Sequence, residues 1–156
     1  MINKKNIKVC VTLFSLMLIV LINQVSAAKG MNKEVTVIAL TILAEARGEG
    51  EAGMYAVGAV ISQRAIQRKQ TPTEVCLARK QFSCWNGKSV NDLKHLLEVP
   101  QAEYAISVAR NIKTLRRDYV GYADHYHATW MKKKPYWAKS YKPVKRIGQH
   151  LFYTSK

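Results

Sequence analysis

The stretch VTVIALTILAEARGEGEAG, residues 35–53, decides how the chain is read. Apolar residues recur at Val35, Ile38, Ile42 and Ala46, with Ala39 and Leu43 beside them, and this spacing predicts a helix. Gly48 is the predicted stop, because glycine takes a left-handed cap without steric penalty. Glu45 then falls in the last helical turn, with Glu49 and Glu51 just beyond it. Three of the ten acidic residues thus crowd into one turn of a chain whose formal net charge is +15.

A solvated turn accounts for such a cluster, and so does a carboxylate placed for proton transfer. The negative end of the helix dipole disfavours an ionised carboxylate in the last turn. Apolar packing acts in the same sense. A glutamate that holds its proton near neutrality can protonate a leaving oxygen, as cleavage of a glycosidic bond requires. Glu49 joins the same helix face only if the helix continues past Gly48, and Glu51 reads as solvent-facing.

Outward from this stretch, AGMYAVGAVISQRAIQRK (52–69) predicts a second helix on Met54, Val57, Ile61 and Ala65, with a basic end that suits the dipole. Thr71, Pro72 and Glu74 form a capping-box signature, which gives Glu74 a structural role. The segment RKQFSCWNGKS (79–89) has no helical period and ends in an Asn86–Gly87 turn signal. Residues 100–117 predict a helix with Ala102, Ala105, Ala109, Ile112 and Leu115 inward. From Tyr119 the chain turns aromatic and β-branched. YVGYADHYHATW reads as a strand, MKKKPYWAKS as a basic loop, and VKRIGQHLFYT as two strands about Gly148–Gln149. The expected class is α+β, helices first and a small antiparallel sheet last.

The first residues differ from the rest. Lys4, Lys5 and Lys8 precede an uncharged, mostly apolar run from Val9 to Ile22, then NQVSAA. This is the pattern of a secretory signal peptide over 1–27, leaving a domain over 28–156. The apolar run is shorter than the ~20 residues of a membrane span, so an uncleaved anchor is the lesser reading. The expected location is exported, periplasmic or wall-associated. Residues 28–156 keep all ten acidic residues and 22 of the 25 Lys and Arg, a net charge of +12. Such a charge favours polyanions. Export argues against nucleic acid, which leaves the anionic cell wall as the expected partner, with no stable membrane partner and a monomeric state.

Cys76 and Cys84 lie beyond the leader, and an exported compartment permits a bridge between them, but a disulfide needs geometry that sequence does not show. His125 and His127 share a strand face and, with His150, form a possible zinc set; H-x-H alone is weak, so no metal and no cofactor are expected. Phe82, Trp85, Tyr126, Trp130, Tyr136 and Trp137 are candidates for flat faces against sugar rings, with core packing as the alternative.

Four blocks, AEARGEGEAGMYAVGAVISQR, QFSCWN, DHYHATW and VKRIGQHLFY, in this order, resemble the catalytic domain of the SleB-type cell-wall hydrolases, from about Lys33 to Tyr153. The resemblance implies a lysozyme-like fold related to lytic transglycosylases, with peptidoglycan as substrate. It implies that Glu45 is the catalytic acid and Glu49 a supporting residue. It sets Phe82, Ser83 and Trp85 along a groove, with Tyr126 and His127 across from the acid. Trp137 joins them as a candidate sugar contact on its aromatic character. The expected activity is cleavage between N-acetylmuramic acid and N-acetylglucosamine, by hydrolysis or transglycosylation. The alternatives are a wall-binding module without turnover and a zinc-dependent peptidoglycan amidase. Spore context and the wall-binding repeats that many members carry are not evident in the sequence, and Cys76 stands outside the family pattern.

Overall fold

The computed structural model describes residues 31–155, so the expected leader lies outside the described residues. From Lys33 onward the chain forms one compact unit. Helix α1 (Lys33–Ala46) leads through a 3-10 turn (Arg47–Glu49) into α2 (Gly50–Arg68). Then come α3 (Pro72–Leu77), a 3-10 turn (Ser83–Trp85), α4 (Val90–Leu93), a 3-10 segment (Lys94–Glu98) and α5 (Ala102–Arg110). A 3-10 turn (Arg117–Val120) precedes strand β1 (His125–Ala128), and another (Tyr136–Lys139) separates it from β2 (Pro143–Ile147) and β3 (His150–Tyr153). The sheet order is β1-β3-β2, antiparallel throughout.

Helix α1 is the central element. Val37 to Leu43 are all buried, around the whole helix circumference, because α2, α3 and α5 surround it. The helix predicted from spacing forms, and burial on every side over these residues is the pattern of an internal helix. Gly48 does not act as the left-handed stop. It lies inside the 3-10 turn, and the positive φ falls on Gly50 (67°), where the chain redirects into α2.

Local signals elsewhere are reproduced. Thr71 and Glu74 exchange both capping-box bonds with Pro72 at the helix start. The five residues expected on the inner face of the 100–117 segment are all buried, although α5 itself ends at Arg110. Between α3 and α5 a second capping box, Ser89 with Asp92, starts α4, a short element that the sequence pattern did not predict. Two apolar clusters result: a large one around α1, and a smaller one where Ala56, Ala59 and Val60 of α2 meet Val120, Ala123, Ile147 and Phe152.

Strand alternation gives the sheet two distinct faces. Tyr126 and Phe152 point toward the helices, with His150 beside them. His125, His127 and Tyr153 take the opposite face, where Trp137 and Tyr141 pack on them.

Candidate active site

Glu45 sits half-buried in the last turn of α1, facing the inner side of β1. The Tyr126 hydroxyl donates to Glu45 Oε2 at 2.8 Å. Burial raises the proton affinity of Glu45 above the ordinary carboxylate value; Tyr126, the Arg64 guanidinium and Cys84 pull the other way without overcoming it. Burial and the adjacent Glu45 likewise hold the Tyr126 phenol well above its usual range, so it remains a donor. The Cys84 backbone N–H and thiol also hydrogen-bond this carboxyl.

The segment over this carboxyl is pinned from below. Trp85 Nε1 donates to Thr41 Oγ1 at 2.9 Å, and Thr41 donates to the Val37 carbonyl at 2.8 Å. Thr41 lies one turn before Glu45 on the same helix face, so this bond sets Cys84 against the Glu45 carboxyl. Burial, with Glu45 adding to it, pushes the Cys84 thiol up to about 12. Cys76 is also pushed up to about 12 by burial, and both thiols are free.

Arg64 completes the cluster. It is buried, donates from Nε to the Asp124 carbonyl at 2.6 Å, and lies 5.2 Å from the centre of the Phe82 ring. Its Nη1 has no hydrogen-bond partner. Burial lowers the Arg64 pKa, and the neighbouring Tyr126, Asp124 and Glu45 partly restore it. The sequence carried a signal for Arg64: it falls three positions after Ile61 and seven after Val57, a charge on the apolar stripe of α2.

The other expected site residues separate. Glu49 Oε2 accepts from the Gln149 backbone N–H at 2.7 Å, tying the turn after α1 to the β2–β3 hairpin. Close approach makes this contact possible. A Cβ on Gly148, whose φ is 54°, would stand 2.1 Å from Glu49 Oε2, and one on Gly53 would stand 2.3 Å from Glu49 Cβ. Ser83 is exposed beside Cys84, while Trp85 is held by its bond to Thr41.

Three expected groove contacts are corrected. Phe82 is only 2% exposed and underlies Arg64, so it has no face for a sugar. His127 is buried on the far face of the sheet, with Nδ1 2.9 Å from the Ala128 carbonyl and Nε2 2.9 Å from the Tyr153 hydroxyl. A carbonyl only accepts, so in the neutral ring Nδ1 donates and Nε2 accepts from Tyr153. Trp137 packs on that same far face. Burial withdraws Phe82, strand alternation sends His127 to the far face, and Trp137 of the 3-10 turn is half-buried against His127 and Tyr153 there.

The three histidines do not converge. His125 Nδ1 pairs with Asp124 at 2.9 Å, His127 is engaged as above, and His150 lies on the opposite face beside Tyr126. Among the described residues no three His, Cys, Asp or Glu side chains are placed to hold a metal ion.

Residues 48–153 match the family model described as Cell Wall Hydrolase. The chain belongs to the cell wall hydrolase family. Glu45 lies three residues before the matched span, so its place in the site rests on the geometry above. The fold of this family member resembles that of the catalytic domain of the germination-specific lytic transglycosylase SleB from Bacillus anthracis. That likeness has a TM-score of 0.61 and 23% identity, over 80% of this chain and 98% of that one. It supports the lysozyme-like, α+β architecture. No match was found among the curated proteins. Among the described residues, no helix of this cell-wall hydrolase is long and apolar enough to cross a membrane.

The Tyr126–Glu45 bond yields a test. Tyr126→Phe removes a bond that lowers the Glu45 pKa. With Glu45 as the general acid proposed below, which must be protonated to act, the alkaline limb of the pH–activity profile is expected to move upward. An alkaline limb left in place or moved downward contradicts this role for Tyr126.

Proposed function

We propose that this cell-wall hydrolase is a lytic transglycosylase cleaving peptidoglycan between N-acetylmuramic acid and N-acetylglucosamine. Glu45 serves first as acid and then as base. The observation that carries this reading is a half-buried carboxyl of raised proton affinity, hydrogen-bonded by Tyr126 at 2.8 Å. The SleB domain whose fold this chain shares is itself a lytic transglycosylase.

The chemistry follows from the donor set. Protonated Glu45 gives its proton to the bridging oxygen, and the muramyl C1–O bond breaks with oxocarbenium character. A hydroxyl of the same muramyl residue attacks C1 and returns its proton to the Glu45 carboxylate. The sugar closes as an anhydro ring and Glu45 is regenerated. An ordinary glycosidase needs a second carboxylate as base or nucleophile. The groups acting most strongly on Glu45 are Tyr126, Arg64 and Cys84, none of them a carboxylate. Glu49 is engaged by the hairpin, and Glu51 lines a separate cavity of about 440 Å³ with Tyr55 and Tyr104. Arg64 keeps the ionised form of Glu45 accessible for its turn as base, while Glu49 supports the site through the hairpin. We further infer that residues 1–27 direct export to the wall.

Mass spectrometry of the fragments released from purified sacculi tests the reading. Anhydromuramyl ends are expected, with release unaffected by a chelator. Reducing ends, heavier by one water, would replace transglycosylation with hydrolysis. Release of peptides that stops with a chelator would replace both with an amidase.

A further inference from the structure

We propose that the connection between β1 and β2, residues 129–142, is a reversible docking surface for an anionic lipid bilayer. The charge of this protein is segregated along the chain. All ten acidic residues lie at or before Asp124. From His125 onward there are seven lysines and one arginine, with no Asp or Glu. Five of these lysines, Lys132, Lys133, Lys134, Lys139 and Lys142, stand exposed in the one connection. The ion pairs among the described residues are Arg116–Asp118 and Asp124–His125, so none of the five is neutralised by a carboxylate there.

The same connection exposes large apolar side chains. Trp130 is 74% exposed, Tyr136 86% and Met131 38%. The wall offers phosphate to the lysines and sugar rings to the flat faces of Trp130 and Tyr136, but no apolar layer that would take up Met131 as well. A bilayer surface offers both: tryptophan and tyrosine settle at headgroup depth, and lysine stems reach up to the phosphates. The root of the connection is firm enough to present these groups. Thr129 donates from its backbone N–H to the Gln149 carbonyl and from Oγ1 to Gln149 Oε1, both at 2.7 Å. Lys145 and Arg146 on β2 are otherwise engaged, on the Tyr119 and Gly148 carbonyls, and are not counted in the surface.

Co-sedimentation of the full chain with phosphatidylglycerol–phosphatidylethanolamine vesicles, against phosphatidylcholine vesicles, tests the proposal. Each variant is compared with its parent, so residues 1–27 contribute equally to both. Binding is expected to need phosphatidylglycerol and to weaken with added salt. Lys132→Glu, Lys133→Glu and Lys134→Glu together should weaken it by at least about a hundredfold, at roughly a factor of five per lysine. Vesicles should shift tryptophan emission to the blue, and Trp130→Phe should remove most of that shift. Release of soluble glycan fragments should be unchanged in the triple lysine variant, which separates this surface from the catalytic reading. Vesicle binding that the triple variant retains, or an emission shift that persists without Trp130, would overturn the proposal. So would a triple variant that loses adsorption to purified sacculi while vesicle binding stays the same, since the surface then serves the wall polymer.

Discussion

Glu45→Gln is expected to lower wall cleavage by about 10²–10⁴-fold, the range for removal of a positioned general acid, while leaving adsorption to sacculi intact. Glutamine preserves the shape of the side chain, and its carbonyl oxygen still accepts from the Tyr126 hydroxyl that now meets Oε2 at 2.8 Å. What it lacks is a proton to give the bridging oxygen and a carboxylate to take one back. Clearing of a sacculus suspension and pelleting with sacculi measure the two properties separately. Clearing at the parental rate would mean that another group supplies the proton.

The same variant carries a signature in stability. The folded-state pKa of Glu45 is raised above the ordinary value of 4.5 by burial. The native state therefore binds the proton more tightly than the unfolded chain does. Stability contributed this way is fully present below the unfolded value and is lost as pH rises through the folded one. Glutamine does not titrate, so Glu45→Gln should melt at or above the temperature of the parent at about pH 8. The difference should shrink toward about pH 4, where the parent's carboxyl is mostly protonated in both states. A parent that is clearly the more stable at about pH 8 would show that folding favours the ionised carboxylate, leaving the site without its acid.

What the sequence disclosed about this arrangement was local. The Thr71–Pro72–Glu74 cap is legible because every atom it uses lies within one turn, and the structure reproduces both of its bonds. The Gly148–Gln149 hairpin is legible for the same reason, since a two-residue turn needs a positive φ that glycine supplies. The spacing of Ala102, Ala105 and Ala109 marks a buried face whatever the helix packs against. Glu45 in a last helical turn is read from a period and a glycine, although the glycine at positive φ is Gly50. Contacts between distant segments were not legible. Nothing near Trp85 indicates that its indole N–H reaches Thr41, 44 positions away. The resemblance sets Tyr126 and His127 together across from Glu45, yet alternation sends Tyr126 to Glu45 and His127 to Tyr153 behind the sheet. Arg64 stood on an apolar stripe, which marks it as unusual, but only the packed structure supplies Asp124 and Phe82 as its neighbours.

Phe152→Ala should produce the largest loss of stability among single side-chain truncations, about 3–5 kcal/mol for a buried aromatic, against a total of about 5–15 kcal/mol for a domain of this kind. Phe152 is fully buried on β3, the central strand, where it closes the smaller core against Ala56, Ala59 and Val60 of α2. Its ring also lies 5.6 Å from that of Tyr126, centre to centre, so it backs the side chain that fixes Glu45. The cavity therefore reaches the site as well as the core. At a temperature where Phe152→Ala remains folded, its alkaline activity limb should move upward in the same direction as in Tyr126→Phe. Because the two changes act on one contact, adding Tyr126→Phe to Phe152→Ala should move the limb less than the sum of the separate shifts. Phe152→Leu, which refills most of the volume, should recover stability and limb position together. Urea unfolding of the four variants beside their pH profiles decides the matter. A Phe152→Ala protein within about 1 kcal/mol of its parent would place the load of the small core elsewhere. One that is destabilised as expected but keeps the parental limb would show that Tyr126 holds Glu45 without support from beneath.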